Sequence, residues 1–447
     1  MEENKNLEVQ FEVHTKDNIA QTKNQPPQLA KIILGITLSI IIILIIVIII
    51  IVAIYENKLS EQPKNTDEEK TTPESTPSLP PFKYTGFENF VIYGTVEKNL
   101  TYDVNGTIEN SFKQDGGENY NANIGNLNDG QDYNKTNRNI YHLYIPQYAL
   151  DRKNEANGIM LWVHGGGWMG GNLTMLEFLC GLYSPQGYIS ATMGYTLLNN
   201  NFTNYNIFRI LDEITDCIKD IKNRLQKKGF DTNKLSLGIG GHSAGGHLAL
   251  LYSYLINNTN IIPLKFVINL AGPVGLHEKY FYKMKSKSDT LSNIENVTII
   301  EEAKKNGTII PLFIEYNSLY FMNIFYGNKF NESEIHEMLF KNQTINTTNE
   351  NYQTMYKVVA NAYVTEIEDK HKIQTLCVYG GADDTLGVAT YAYLKEKMDK
   401  DGRPYDFIYT RTEGHNLILY LSTKDGIFKA LEIYSKITAY MKKYFGY

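Results

Sequence analysis

A chain of 447 residues has room for one large domain with appendages, or for two domains. Its formal net charge of −6, with no basic patch interleaved with aromatic residues, argues against a nucleic-acid-binding protein. No disulfide framework can be read from its three cysteines, Cys180, Cys217 and Cys377, and at least one stays unpaired within the chain. The hydrophobic content of 43% is ordinary and is sufficient for a large core.

The stretch from Ile32 to Ile54 is almost wholly Ile, Leu and Val. As a helix it would extend roughly 34 Å, which is enough to cross a hydrocarbon core of about 30 Å. A cleaved signal peptide is a poor alternative, because the run is too long and about thirty polar residues precede it. We therefore predict a polar tail over 1–31, a transmembrane helix over 32–54 that anchors the protein in a lipid bilayer, and a Pro/Thr-rich stem over 55–81.

The orientation of this anchor is predicted from glycosylation signals, since the lysines on its two sides are balanced and give no direction. N-x-S/T sequons occur only after the anchor, which favours a glycoprotein with a lumenal or extracellular body. The protein is thus expected to be a single-pass type II membrane protein whose anchor serves as its signal. The sequons are at Asn99, Asn105, Asn134, Asn172, Asn201, Asn257, Asn296, Asn306, Asn331, Asn342 and Asn346.

From Phe82 onward, short apolar or β-branched runs alternate with amphipathic stretches. An Asn/Gly-rich stretch over 105–137 is expected to be a loop. The alternation predicts an α/β domain over 82–447, with a mostly parallel sheet and helices on both faces. The predicted strands are 90–93, 140–145, 159–163, 188–195, 235–240, 266–270, 375–379 and 407–410, and the predicted helices are 207–225, 391–398 and 427–444.

One segment, about 272–361, interrupts the alternation with amphipathic pieces, aromatic residues and Asn/Thr-rich loops. A gap of this size between two sheet strands indicates an insertion. Two interpretations are open: a helical cap over the functional site, or a peripheral helical lobe with no role in binding.

The pentapeptide Gly241-His242-Ser243-Ala244-Gly245 stands between the strand 235–240 and an apolar run that begins at His247. G-x-S-x-G at a strand–turn–helix junction is typical of a nucleophile elbow. The glycines are required because a Cβ would collide with the neighbouring strand and helix, and the following helix aims free N–H groups at an oxyanion. We predict Ser243 as the nucleophile and the Ala244 N–H as an oxyanion donor. The His242 side chain is expected to point away from the exposed face of the turn, and His247 to pack.

The run His164-Gly165-Gly166-Gly167-Trp168 follows the buried strand 159–163 directly. Its glycines let the backbone present N–H groups to a substrate without interference from side chains. Together with the elbow, this pattern predicts that Gly166 and Gly167 complete the oxyanion hole with Ala244. His164 is expected to pack and shape this loop, and Trp168 to form a wall of the site.

Two adjacent carboxylates, Asp383 and Asp384, follow the strand 375–379, at the edge where a parallel sheet presents its functional loops. Either of them could orient a histidine base, while the other would be solvated or cap the next helix.

The base is predicted from its position in the chain. Of nine histidines, only His415 lies at a glycine-flanked strand end downstream of these carboxylates. It completes the order Ser…Asp…His that this type of elbow requires.

Taken together, H-G-G-G-W, G-H-S-A-G-G-H, G-x-x-D and E-G-H resemble the esterase/lipase branch of the α/β-hydrolase fold. The resemblance covers about residues 135–445 and is nearest to the carboxylesterase, feruloyl-esterase-like and prenylcysteine-methylesterase-like group. It implies Asp383 as the acid, because Gly380 and Leu386 place it in the acid-loop frame of that family. The triad that the resemblance implies is Ser243, Asp383 and His415.

The sequence departs from that family in two places. Gly194-Tyr195-Thr196 stands where such enzymes often show Asp-Tyr-Arg, and the segment 272–361 is longer and more polar than usual.

The expected function is that of a membrane-anchored serine hydrolase acting on a small-molecule carboxylic ester through an acyl-enzyme. No metal or organic cofactor is implied. The alternatives are an amidase or formamidase of the same fold, and a catalytically inactive surface adhesion or receptor module.

Overall fold

A computed structural model describes residues 82–83, 91–92, 94–102, 138–198, 206–256, 261–286, 291, 294–312, 315–327, 329–338, 346–369, 371–410, 413–417 and 424–446. The predicted tail, anchor and stem and the predicted loop over 105–137 lie outside these residues and stay predictions. Within the described ranges, no helix combines the length and the apolar composition that a bilayer crossing requires.

An eight-stranded sheet organises the described residues, in the order β12-β11-β8-β7-β5-β6-β4-β3. The six strands from β12 to β6 are parallel, and β4 and β3 complete the sheet with antiparallel pairing. Two short antiparallel pairs, β1 with β2 and β9 with β10, lie outside this sheet. The strands are β1 (Phe82–Lys83), β2 (Val91–Ile92), β3 (Gly94–Thr101), β4 (Ile140–Pro146), β5 (Asn157–Val163), β6 (Ile189–Met193), β7 (Leu235–His242), β8 (Leu264–Leu270), β9 (Tyr282–Met284), β10 (Ile309–Pro311), β11 (Gln374–Gly380) and β12 (Tyr405–Thr410).

The strand β5 shows why the parallel sheet forms. It is buried along its whole length, as its continuous apolar run predicts for a strand covered on both faces. Ile159 pairs in parallel register with Leu237 on one side and with Ile189 on the other. The prediction of a mostly parallel sheet is therefore confirmed.

The sheet carries helices on both faces. Side chains alternate between the faces of a strand, so Phe266 and Asn269 of β8 point to opposite sides. Phe266 packs against Tyr440 and Phe445 of the C-terminal helix α10, whereas Asn269 lies against Gly246 of the helix α4. The helices are α1 (Gln147–Asp151), α2 (Glu177–Tyr183), α3 (Ile207–Lys227), α4 (Ala244–Leu251), α5 (Val297–Lys305), α6 (Glu315–Tyr326), α7 (Glu332–Met338), α8 (Glu350–Val359), α9 (Ala389–Asp401) and α10 (Lys424–Phe445).

The chain between β8 and β11, which includes the predicted insertion over 272–361, is not purely helical. It contains the β9–β10 ribbon as well as α5, α6, α7 and α8. The ribbon was not predicted, because its strands are three residues long and are separated by the whole of α5. One part of the insertion contributes to a second, small apolar cluster, which joins α5 and β10 to α9. This cluster consists of Ile300, Ala303, Ile309, Val388, Ala389 and Ala392.

Candidate active site

The turn between β7 and α4 holds Ser243 in a strained backbone conformation. Its φ of 54° and ψ of −124° lie in a region that residues with a side chain rarely adopt. A backbone hydrogen bond of 2.8 Å from Ser243 N–H to the Leu270 carbonyl fixes the turn to the neighbouring strand. A Cβ on Gly245 would overlap the Val163 carbonyl oxygen, and one on Gly241 would overlap the Gly245 backbone. These overlaps explain why both flanking positions of the pentapeptide are glycine.

Three side chains from three different loops meet at this turn. His415 Nε2 lies 2.8 Å from Ser243 Oγ, and His415 Nδ1 lies 2.9 Å from Asp383 Oδ2. The carboxyl group of Asp383 is 1% exposed and the imidazole of His415 is 13% exposed, so the pair is screened from water while the histidine can still be reached. The structure thus brings together the serine, the carboxylate and the histidine that the sequence predicts.

The two adjacent carboxylates have different surroundings. Asp383 is buried, and its Oδ1 accepts hydrogen bonds of 2.8 Å from the N–H groups of Thr385 and Leu386. These bonds hold the carboxylate so that its Oδ2 faces His415. Asp384 is exposed. Of the two carboxylates, Asp383 is therefore the one that lies beside His415, and it is also the one that the acid-loop pattern of the family indicates.

The loop after β5 lies directly beside the elbow. A Cβ on Gly165 would come within 3.0 Å of Ser243 Cβ and 2.8 Å of the His242 carbonyl oxygen, so only glycine fits at this contact. Gly166 and Gly167 have φ values of 116° and 60°, both in the left-handed region. Within the described part of the chain, neither of their amides donates a backbone hydrogen bond in a turn or loop.

The third predicted oxyanion donor, Ala244, is the first residue of α4. Its amide is therefore among the free N–H groups at the positive end of the helix. At the carboxyl ends of the parallel strands, amide donors thus lie next to the serine in two places, the loop after β5 and the start of α4.

Trp168 is the last residue of the predicted oxyanion loop after β5, and its ring contacts the insertion. It is a non-glycine residue at φ 62°, and its carbonyl accepts a 2.9 Å hydrogen bond from Leu198 N–H. Its ring lies edge-on to the rings of Phe325 and Phe321 of α6, at centroid distances of 4.7 and 6.2 Å. It also lies 5.4 Å from the ring of His247. Two phenylalanines of the insertion therefore contact the predicted oxyanion loop. Their spacing within an Asn/Thr-rich segment does not indicate this contact.

His242 makes a contact that the sequence does not indicate. Its side chain is buried, in keeping with the expectation that it points away from the exposed face of the turn, and it lies against the predicted base. The His242 and His415 rings are 5.1 Å apart, and His242 Nε2 donates a 2.8 Å hydrogen bond to the His415 carbonyl oxygen. No sequence pattern indicates this contact, because the partner is a backbone atom 173 residues away.

Burial controls the protonation of the histidines around the site. Loss of hydration lowers the pKa of His164, His242 and His247 to about 4 in each case. These imidazoles are therefore neutral at neutral pH. His164 packs flat on Tyr195 at 4.2 Å, and His247 Nε2 donates to the Ala362 carbonyl at 2.7 Å.

The departure at Gly194-Tyr195-Thr196 has a structural role. The Tyr195 hydroxyl donates a 3.1 Å hydrogen bond to the His164 carbonyl at the start of the predicted oxyanion loop. Thr196 donates through its amide and its hydroxyl to the carboxylate of Glu213 on α3, at 2.7 and 2.6 Å. This segment therefore links the start of the predicted oxyanion loop to α3.

The sheet order, the strained serine turn and the three converging side chains define an α/β-hydrolase. The BD-FAE family model matches residues 143–398, which is more than half of the chain. The chain belongs to this family, and the resemblance to α/β-hydrolase serine esterases is confirmed.

Several solved esterases are similar to this chain. Esterase B from Lactobacillus rhamnosis is 15% identical, with a TM-score of 0.43, covering 69% of this chain and 84% of that one. An esterase from Pyrobaculum calidifontis is 16% identical, with a TM-score of 0.43, over 67% and 80% of the two chains. A truncated carbohydrate esterase from gut microbiota is 12% identical, with a TM-score of 0.45, over 76% and 98%. No curated protein matches the chain in sequence.

Proposed function

We propose that this esterase-family protein is a serine carboxylic ester hydrolase that acts through a covalent acyl-enzyme. The observation that carries the proposal is the continuous relay from Asp383 Oδ2 through His415 to Ser243 Oγ, with separations of 2.9 and 2.8 Å. A serine hydroxyl is a weak nucleophile at neutral pH, and it needs a base at this distance to remove its proton.

The direction of proton transfer follows from the partners of the imidazole. A carboxylate only accepts hydrogen bonds, so Asp383 Oδ2 holds the proton on His415 Nδ1. This tautomer leaves Nε2 unprotonated and able to take the Ser243 proton as Oγ attacks the ester carbonyl. His415 then gives this proton to the departing alcohol, which leaves the acyl group on Ser243. In the second half, His415 takes a proton from the water that attacks the acyl-enzyme and returns it to Ser243 Oγ as the acid leaves.

The developing oxyanion would be stabilised by the amides of Gly166, Gly167 and Ala244. Support for this assignment comes from the left-handed backbone of the two glycines and from the position of Ala244 at the start of α4. Such preorganised donors act most strongly when charge accumulates on the substrate oxygen, that is, in the transition state. The α6 side of the insertion would form one wall of the cap, through the contact of Phe325 with Trp168.

The test compares the full-length wild-type protein with Ser243→Ala on p-nitrophenyl esters of graded acyl length. We expect the substitution to lower kcat by about 10⁴-fold or more and to abolish labelling by a fluorophosphonate. Equal rates for the two proteins would refute the mechanism. Faster turnover of anilide or N-formyl substrates would instead indicate an amidase or formamidase. A folded protein that the probe does not label would indicate a binding or adhesion module.

We also propose that residues 32–54 anchor this hydrolase in a bilayer, with the domain on the lumenal or extracellular side. Support comes from the uniformly apolar run and from sequons that occur only after it. Five of the sequon asparagines, Asn99, Asn172, Asn296, Asn306 and Asn331, are exposed. Treating the protein from its native membrane with an N-glycosidase should increase its gel mobility, and unchanged mobility would count against this orientation.

A further inference from the structure

His242 lies between the three loops of the candidate active site. It is the last residue of β7, directly before Ser243, and it is 3% exposed. Its Nδ1 faces the loop after β5, since a Cβ on Gly165 would lie 3.2 Å from that atom. Its Nε2 faces the opposite way and donates to the His415 carbonyl oxygen at 2.8 Å.

The protonation of His242 follows from these two surroundings. A carbonyl oxygen only accepts, so Nε2 must carry a hydrogen. Burial lowers the pKa of the imidazole to about 4, so at neutral pH the ring carries that one hydrogen and no charge. Nδ1 is then bare, and among the described residues it has no hydrogen-bond partner. A neutral donor can hold the His415 backbone without placing a second positive charge beside the imidazolium that forms during catalysis.

Hydrogen bonds on two sides hold the segment 413–417 that carries His415. On the side of the acid loop, Ala382 N–H donates to the Glu413 carbonyl at 3.0 Å. On the side of the nucleophile, the bond from His242 holds the His415 backbone itself. Because His242 and Ser243 are adjacent, this bond ties the backbone of the base to the backbone of the nucleophile.

We propose that His242 is a positioning residue, whose hydrogen bond to the His415 carbonyl sets the distance between His415 Nε2 and Ser243 Oγ. The inference rests on the proposed serine-hydrolase function. It assigns to the second position of the pentapeptide a role that the elbow motif alone does not require, since that position is variable in the motif.

The experiment compares His242→Gln with His242→Met in the full-length protein. Both side chains are unbranched and similar in length, but only glutamine offers an N–H group near the position of the imidazole Nε2. With a p-nitrophenyl ester we expect Met to lower kcat by about 10- to 100-fold with KM changed by less than about threefold. Gln should stay within about threefold of the wild-type kcat.

Tyr254→Phe is the control for a purely structural loss. It removes a buried 2.7 Å hydrogen bond to Thr375. Thr375 lies near the amino-terminal end of β11, whereas Ser243 follows the carboxyl end of β7. Urea unfolding of each variant shows the stability change, and this control should lose stability without losing kcat. A Met variant that keeps the wild-type kcat, or a Gln variant that loses as much as Met, would overturn the proposal.

If the Met variant does not fold, His242→Asn replaces it in the comparison. The asparagine amide is one bond shorter and falls short of the His415 carbonyl. A low kcat for Asn beside a near-normal kcat for Gln supports the proposal, and equal values overturn it. Ser243→Ala is included in the same assay: turnover that does not depend on Ser243 refutes the proposed function and this inference together, whereas Ser243-dependent turnover with an active Met variant refutes the inference alone.

Discussion

At the scale of single residues, the two neighbouring aspartates give a sharp test of the relay. Asp383 is buried and hydrogen-bonded to His415, whereas Asp384 is exposed one position along the chain. Asp383→Asn keeps the shape of the side chain but allows the amide to donate, which favours the wrong tautomer of His415. We expect kcat to fall by about 10⁴-fold for Asp383→Asn.

The matched variant is Asp384→Asn, which changes the same type of side chain in the same loop. It should keep kcat within about threefold, since an exposed carboxylate is largely screened by solvent. Measurement of kcat for both variants with one ester decides between them. A larger loss for Asp384→Asn would show that the acid has been assigned to the wrong residue.

The residues of the relay could be predicted because each stands at a strand end with a recognisable local pattern. Ser243 lies between glycines that only a sharp turn requires, and His415 follows a glycine in the correct chain order. His242 and Phe325 could not be predicted, because their roles depend on contacts with a distant carbonyl and a distant ring. The residue type and the position after the strand do not distinguish Asp383 from Asp384. The prediction of Asp383 therefore depended on the acid-loop pattern of the family that the sequence resembles.

At the scale of elements, α6 of the insertion acts on the loop after β5. Trp168 holds a left-handed backbone angle that costs on the order of 1 kcal/mol or more for a residue with a Cβ. Such a conformation persists only where its surroundings enforce it, and here these are the Leu198 hydrogen bond and the edge-on packing of Phe325. Within the insertion, α6 contacts Trp168, whereas α5 packs on α9. Both interpretations of the insertion stay predictions.

Phe325→Ala should therefore reduce turnover as well as stability. Phe325 is fully buried, and its truncation would leave a cavity beside Trp168 that lets the predicted oxyanion loop relax. We expect kcat to fall about tenfold or more and the free energy of unfolding to fall by about 3–5 kcal/mol.

Leu319→Ala on the same helix is the control, because Leu319 is also fully buried. It should lower stability by about 2–5 kcal/mol while leaving kcat near the wild-type value. The two quantities are measured by urea unfolding and by ester hydrolysis. If both variants lost stability and neither lost kcat, the insertion would have no influence on the loop.

The N-x-T tripeptides also stabilise turns in the local structure. At Asn172, Asn296 and Asn306, the side-chain oxygen accepts a hydrogen bond from the backbone N–H of the threonine two residues on. These are turns that asparagine forms readily, and two of them begin helical segments. An asparagine- and threonine-rich chain thus gains turn stability from the same tripeptide that glycosylation requires, which is why the orientation proposal needs its own experiment.

At the scale of the whole molecule, buried neutral histidines make stability depend on pH. In the unfolded chain these imidazoles titrate near 6.5, whereas burial lowers the pKa of His164, His242 and His247 to about 4. Between these values the unfolded state binds more protons than the folded state, so stability decreases as the pH falls. Each group contributes up to about 1.4 kcal/mol per pH unit in that window.

Urea unfolding at pH 7, 5.5 and 4.5 should therefore show a steep decrease in the free energy of unfolding below pH 6.5. His247→Gln offers a comparison, because glutamine can keep the donor to the Ala362 carbonyl while removing one titrating ring. Its unfolding curve should depend less steeply on pH than that of the wild type. A free energy that is constant from pH 6.5 to 4.5 would contradict the neutral, buried state of these rings.

The sheet could be predicted in outline because its central strands are continuous apolar runs, of which β5 is the plainest. Its antiparallel edge was not predicted, since a single strand's sequence does not state the direction of its partner. The β9–β10 ribbon was missed for a related reason: three-residue strands leave too little periodicity to detect.

The strained angle of Ser243 has a consequence for the stability of the whole molecule. Glycine would adopt φ 54° with little cost, so replacing the serine should relieve strain and make the fold more stable. The protein therefore carries this hydroxyl at a cost to its own stability, which fits the proposed role of Ser243 as the nucleophile.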